Sequence, residues 1–224
     1  MATSEELEMT FKKVGNDFGT EATAEFAEFR DLKVKWTRTI NFADFRVSDY
    51  LMEAPVDVIE DIARTIFSKI FGDGKEYSEE TVGWLTSDEF VKLHQPKFIE
   101  RSRNFRFDDG ENKSISESIQ RLKDAGLVPD DLRKTKIMWS TKTSENKDAW
   151  TSCLMRTISI NGKLDSEDVP DDVLDYTILK HLTFIGVEFG VDGAERERIV
   201  NEIMESHTEY ADAQKWLENH ELTA

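Results

Sequence analysis

Two side chains able to do chemistry, Lys180 and His181, stand next to each other in the most apolar stretch of the chain, V-P-D-D-V-L-D-Y-T-I-L-K-H-L-T-F-I-G-V-E-F-G (169–190). An imidazole exchanges a proton near neutral pH, and an ammonium holds an anion. The other histidines, His94, His207 and His220, have no i, i+3 or i, i+4 relation to His181 or to one another. The local zinc signature of two imidazoles one helical turn apart is therefore missing. A relocated metal site would have to join His181 to Glu188, Asp192 or His207. Cys153, the single cysteine, has no histidine or asparagine context and reads as a small core thiol. The loop Asp108-Asp109-Gly110-Glu111-Asn112 is rich in oxygens but lacks the spacing and closing Glu of an EF-hand, so it reads as a solvated turn. There is no G-x-S-x-G, Walker or dinucleotide glycine motif. His181 is left as the candidate acid or base.

The element that must position these groups is a helix from about 169 to 186. Val173, Leu174, Ile178, Leu179, Leu182 and Ile185 recur at helical spacing, and Val169, Tyr176 and Phe184 widen the stripe. Pro170 suits the first turn, Asp168, Asp171 and Asp172 suit its positive end, and Gly186 or Gly190 offers a stop. Asp175, Lys180 and His181 are its polar exceptions. Upstream, Leu32, Val34 and Trp36 alternate with Lys33, Lys35 and Thr37. The extended pattern resumes at Phe42, which predicts a β-hairpin over 32–51 with its turn near Thr39–Asn41. Helices are expected over 54–71, 78–85, 87–94, 96–103, 114–125, 194–206 and 211–218, and strands over 136–141 and 150–160. Residues 1–31 read as an acidic, loosely docked arm with short helices opening at Ser4 and Thr20.

The 224 residues carry a net charge of −17, which argues against nucleic-acid or membrane binding driven by bulk charge. One cysteine and the lack of any run of about 18 apolar residues fit a cytoplasmic protein with no membrane segment.

The run V-L-D-Y, a few apolar residues and then a polar cluster resembles the active-site helix of the SprT/YgjP-like zinc metallopeptidases. Further segments resemble the archaeal branch of that superfamily in the same order: W-T-R-T-I-N-F-A-D-F-R-V-S-D-Y-L (36–51), Q-P-K-F-I-E-R-S-R-N (95–104), I-S-I-N-G-K-L-D-S (158–166) and Y-A-D-A-Q-K-W-L (210–217). The resemblance implies an α+β, zincin-like fold: a small antiparallel sheet from 32–51 and 136–160 packed on a helical layer, with 169–186 the central buried helix. It implies an arm at 1–31 and a single metallopeptidase-like domain over 32–224. In the family the helix continues as H-E-L-x-H, and a further His follows in H-G-x-E-F. Laid on this chain, the first ligand slot is Lys180, the Glu slot His181, the second ligand slot Phe184 and the third Asp192.

An ammonium has no lone pair to give and a phenyl ring has no donor. The expectation is a protein without zinc or other cofactor that binds a protein or peptide instead of cutting it. The binding cleft would comprise Lys180, Phe184, Glu188, Asp192 and Trp36, with His181 as a weak acid or base. Lys180 would replace the metal as the local cation, paired with Glu188, Asp192 or Glu195, or would snorkel to water. Two other readings stay open. One is an active hydrolase with a relocated or non-standard site, which would take zinc, another metal or none. The other is a plain interaction domain.

Overall fold

The computed structural model describes residues 2–72, 74–143, 146–187 and 191–222. The chain divides into two compact units, 1–90 and 91–224.

The first unit opens with α1 (Ser4–Asp17), whose N-terminus is closed by a reciprocal pair: the Thr3 hydroxyl accepts the Glu6 N–H and the Glu6 carboxylate accepts the Thr3 N–H. Three strands follow, β1 (Glu21–Ala27), β2 (Val34–Arg38) and β3 (Phe42–Ser48), and then the helices α2 (Val56–Phe71) and α3 (Glu79–Leu85). The sheet order is β1-β3-β2. The β2–β3 hairpin is antiparallel as expected, with the Thr39 N–H donating to the Phe42 carbonyl across its turn, whereas β1 joins β3 in parallel. Phe45 from β3 meets Phe11 of α1 at 4.9 Å and Phe67 of α2 at 5.0 Å between ring centroids, and these rings form the core of the unit.

Residues 1–31 are thus not a loose arm. Leu7, Phe11 and Val14 are fully buried, and 20–29, expected as a helix, contributes a strand. Ala22 and Ala24 pass close beneath α1, and alanine carries little intrinsic signal for a strand.

The helix α4 (Asp88–Arg101) spans the division between the units and runs through Pro96 without interruption, where two helices were expected. The second unit continues with β4 (Phe105–Arg106), α5 (Ile115–Asp124), β5 (Lys136–Ser140), β6 (Ala149–Ser152), β7 (Thr157–Asn161), α6 (Asp171–Gly186), α7 (Gly193–Glu205) and α8 (Ala211–Asn219). Its sheet order is β4-β5-β7-β6, with β5 and β7 parallel.

The α+β class holds, and the single antiparallel sheet does not. The 32–51 hairpin and the 136–160 strands lie in different sheets, and each sheet contains a parallel pair. The expected strand over 150–160 breaks into β6 and β7 at a tight turn where Arg156 takes a φ of +44°. The central helix is as expected: every residue of α6 from Val173 to Leu182 is buried, packed among α5, α7, α8 and the β6–β7 edge of the sheet. Among the described residues no helix is long and apolar enough to cross a membrane.

Candidate functional site

Successive residues on a helix point about 100° apart, yet Lys180 and His181 converge on one carboxylate. Lys180 Nζ lies 3.3 Å from Oδ2 of Asp148, and His181 Nε2 lies 3.1 Å from Oδ1. Asp148 immediately precedes β6 and is wholly buried. Its own backbone fixes it, because Oδ1 also accepts the Ala149 N–H at 2.9 Å and its carbonyl accepts the Asn161 N–H at 2.8 Å. The second imidazole nitrogen, Nδ1, meets Thr151 Oγ1 on β6 at 2.7 Å. With its proton on Nε2, facing the carboxylate, His181 has Nδ1 free to accept the Thr151 hydroxyl. The Phe184 ring, one turn further along α6, stacks on the imidazole at 5.7 Å between centroids.

Burial by itself would push the Asp148 carboxyl up. His181 and Lys180, through charge and hydrogen bonds, outweigh burial and hold it at about 2, from an ordinary 3.8. Asp148 is therefore an anion, and the cluster combines a buried carboxylate with an ammonium and an imidazole. Lys180 has an internal counter-charge and does not snorkel to water. That counter-charge is neither of the described candidates: Asp192 caps α7, accepting the N–H groups of Ala194 and Glu195, and Glu195 pairs with Arg198 at 2.6 Å. Glu188 lies outside the described residues.

Lys180 and Phe184 line a cavity of about 160 Å³ together with Tyr176 and with Glu197, Asn201 and Gln214 from α7 and α8. Two of the expected cleft residues therefore do share a cleft. Trp36 belongs to the first unit, on the edge strand β2, and is half exposed.

The donors at this site do not fit zinc. Lys180 is an ammonium committed to Asp148, Phe184 has no donor atom, Asp192 is exposed at a helix cap, and both nitrogens of His181 are engaged. Among the described residues no group of three or more His, Cys, Asp or Glu could hold a metal ion.

Sequence reasoning missed Asp148 and Thr151. The only cue was the need for Lys180 and His181 to find a partner, and nothing local pointed back to a turn before β6. Asp175, the third polar exception of α6, is held by two bonds from Arg121 at 2.8 and 2.7 Å and one from the Ser118 hydroxyl at 2.5 Å. The 108–112 loop, expected to be plainly solvated, is drawn in by Asp165. Its carboxylate accepts the N–H groups of Glu111, Asn112 and Lys113 and pairs with Arg106. Cys153 is half buried, and burial pushes its thiol up. No family model, curated protein or solved structure matches the chain.

Proposed function

We propose that this chain is a metallopeptidase-like protein that holds a protein or peptide and has given up zinc-dependent hydrolysis. The observation that carries the reading is the Lys180 ammonium on buried Asp148. In the SprT/YgjP-like pattern that helix position carries the first metal ligand. Here a covalently tethered cation stands there with its counter-charge in place. A site so filled neither polarises a carbonyl as a metal would nor lowers the pKa of a bound water.

The binding half of the reading rests on β2. It is an edge strand, and its register on β3 turns the backbone N–H and C=O groups of Lys35 and Thr37 inward. The groups of Val34, Trp36 and Arg38 therefore point away from the sheet and have no partner among the described residues. An extended segment can add there as a further strand. Lys33 and Lys35 pack over Phe29 with no carboxylate partner among the described residues, which favours a segment with acidic side chains.

The test is the native protein's zinc content, paired with binding of extended acidic peptides followed by Trp36 fluorescence. The expected result is no stoichiometric zinc, no cleavage of casein and a saturable fluorescence change. That change should be lost in Val34→Pro, which removes one outward N–H at the first residue of an edge strand, a position Pro tolerates, and leaves Trp36 in place to report. One zinc per chain with casein cleavage overturns the reading.

One geometric fact favours a second reading, a metal-free hydrolase. Thr151, His181 and Asp148 stand in the order nucleophile, base and orienting acid, at 2.7 and 3.1 Å. Hydrolysis of an activated ester that disappears in Thr151→Val would select it over the first.

A further inference from the structure

The second unit holds a larger cavity, about 390 Å³, between the connection from α5 to β5 and the helices α6 and α7. Its walls are apolar: Leu127 and Val128 from the connection, Leu179 and Leu182 from α6, Val187 just beyond it, and Ile199 from α7. Among the described residues one charged side chain, Arg133, lines it. We infer that this cavity is a binding site for a small amphipathic carboxylate of the medium-chain fatty-acid class, with Arg133 holding the headgroup and the apolar walls holding the tail.

The guanidinium is placed with care. It lies flat against Gly186, the last residue of α6, where a Cβ would come within 3.1 Å of Nη1 and 3.2 Å of Cζ. A Cβ at this position would require the guanidinium to give by a few tenths of an ångström. Its one contact to that helix end is a long one, Nη1 to the Gly186 carbonyl at 3.5 Å. Among the described residues Arg133 has no carboxylate partner, unlike Arg106 and Arg121, whose guanidinium groups each rest on a carboxylate. An arginine fork with spare donors at the rim of an apolar cavity suits a planar carboxylate, which it can take bidentately.

The backbone beneath it supports the same conclusion. Leu132, Arg133 and Lys134 all take left-handed φ values, +47°, +52° and +59°. For residues with a Cβ this is a strained conformation. The turn is held from outside: Gln95 donates to the Lys134 carbonyl at 3.2 Å, and Arg156 Nη1 donates to the Arg133 carbonyl at 3.2 Å. Strain that the surroundings hold in place is a feature of ligand sites. Here its effect is to set the Arg133 side chain at the cavity. The volume lies within the range of about 300–1,000 Å³ usual for small-molecule sites, and a few polar groups in an apolar lining is their usual make-up.

The inference is independent of the peptide-binding reading, which concerns the other unit. It is tested by titrating the full chain with decanoate and with decanol in a calorimeter and by thermal shift. The expected result is saturable binding of decanoate to one site, at least tenfold tighter than decanol, with a rise in Tm. Arg133→Met should cost decanoate tenfold or more and leave decanol unchanged, while Ile199→Trp, which fills the cavity from a half-buried position, should weaken both. Failure of decanoate to bind, equal affinity for acid and alcohol, or decanoate binding unchanged in Arg133→Met would each overturn the proposal.

Discussion

Lys180 Nζ lies 3.3 Å from the carboxylate of Asp148, a side chain with no exposed surface, 32 residues earlier in the chain. A fully desolvated carboxylate costs several kcal/mol unless it is paired and hydrogen-bonded. Lys180, His181 and the Ala149 N–H together meet that demand.

Removing the ammonium should therefore destabilise the second unit. Lys180→Met leaves Asp148 with the His181 imidazole and the Ala149 N–H but without its ammonium, and we expect a loss on the order of 3 kcal/mol in denaturant unfolding. Adding Asp148→Asn to that variant should recover part of the loss, because the charge that needed a partner is gone. Two changes that add without coupling would mean the pair has no energetic reality.

Restoring donors should restore metal. The triple change Lys180→His, Phe184→His and Asp192→His places imidazoles in all three slots that the resemblance assigns. We expect micromolar or tighter zinc binding in the variant and none in the parent, read by competition with a chromogenic chelator. Equal and negligible affinity in both would show that these positions do not converge on one point.

Acid should weaken the fold in a defined window. Asp148 and Asp165 are both held at about 2 from an ordinary 3.8. For Asp148 burial opposes the shift and His181 and Lys180 produce it; for Asp165 burial again opposes it and the three loop N–H groups with Arg106 produce it. A depressed carboxylate contributes its stability above its unfolded value and loses it as the pH falls toward its folded value. Thermal stability should accordingly be flat above about pH 5 and fall steeply between about 4 and 2. Asp165→Asn should flatten that fall and raise proteolytic nicking in the 108–113 loop.

Two glycines should respond in opposite directions to alanine. A Cβ on Gly15 would meet the Thr20 carbonyl at 2.6 Å and the Ala22 methyl at 2.9 Å, so α1 would have to lift from β1. Gly15→Ala should cost about 1–3 kcal/mol. Gly83, inside α3, has nothing within 4 Å of the same atom, and Gly83→Ala should stabilise by about 0.5–1 kcal/mol through helix propensity. Equilibrium unfolding of the two variants decides both.

What the sequence made legible was periodic or capped. The Ile62–Ile66 stripe with Gly72 behind it marked α2, the Ser114 cap marked α5, and the alternation about Thr39–Asn41 marked the hairpin. The apolar run to Leu182 marked α6 as a core helix, and its polar exceptions pointed to a site. The rest depends on partners distant in sequence. Ala22 and Ala24 carry no strand signal until β3 lies beside them, and parallel pairing leaves no turn to read. Asp148 looked like any acid in a polar turn, and only the fold brings it beneath Lys180. His94 is 3% exposed on a helix, α4, that continues past it through Pro96, and no local pattern marks that burial. The left-handed turn at Leu132–Lys134 has no glycine to announce it.

The alternation along β2 has a consequence for deuterium uptake. The amides of Lys35, Thr37 and Thr39 are engaged with β3, whereas those of Val34, Trp36 and Arg38 face outward. Within one five-residue strand, labelling in heavy water should run fast and slow at alternate positions. A strand that docks along that edge would slow only the outward amides, and so would mark its own extent on β2 residue by residue.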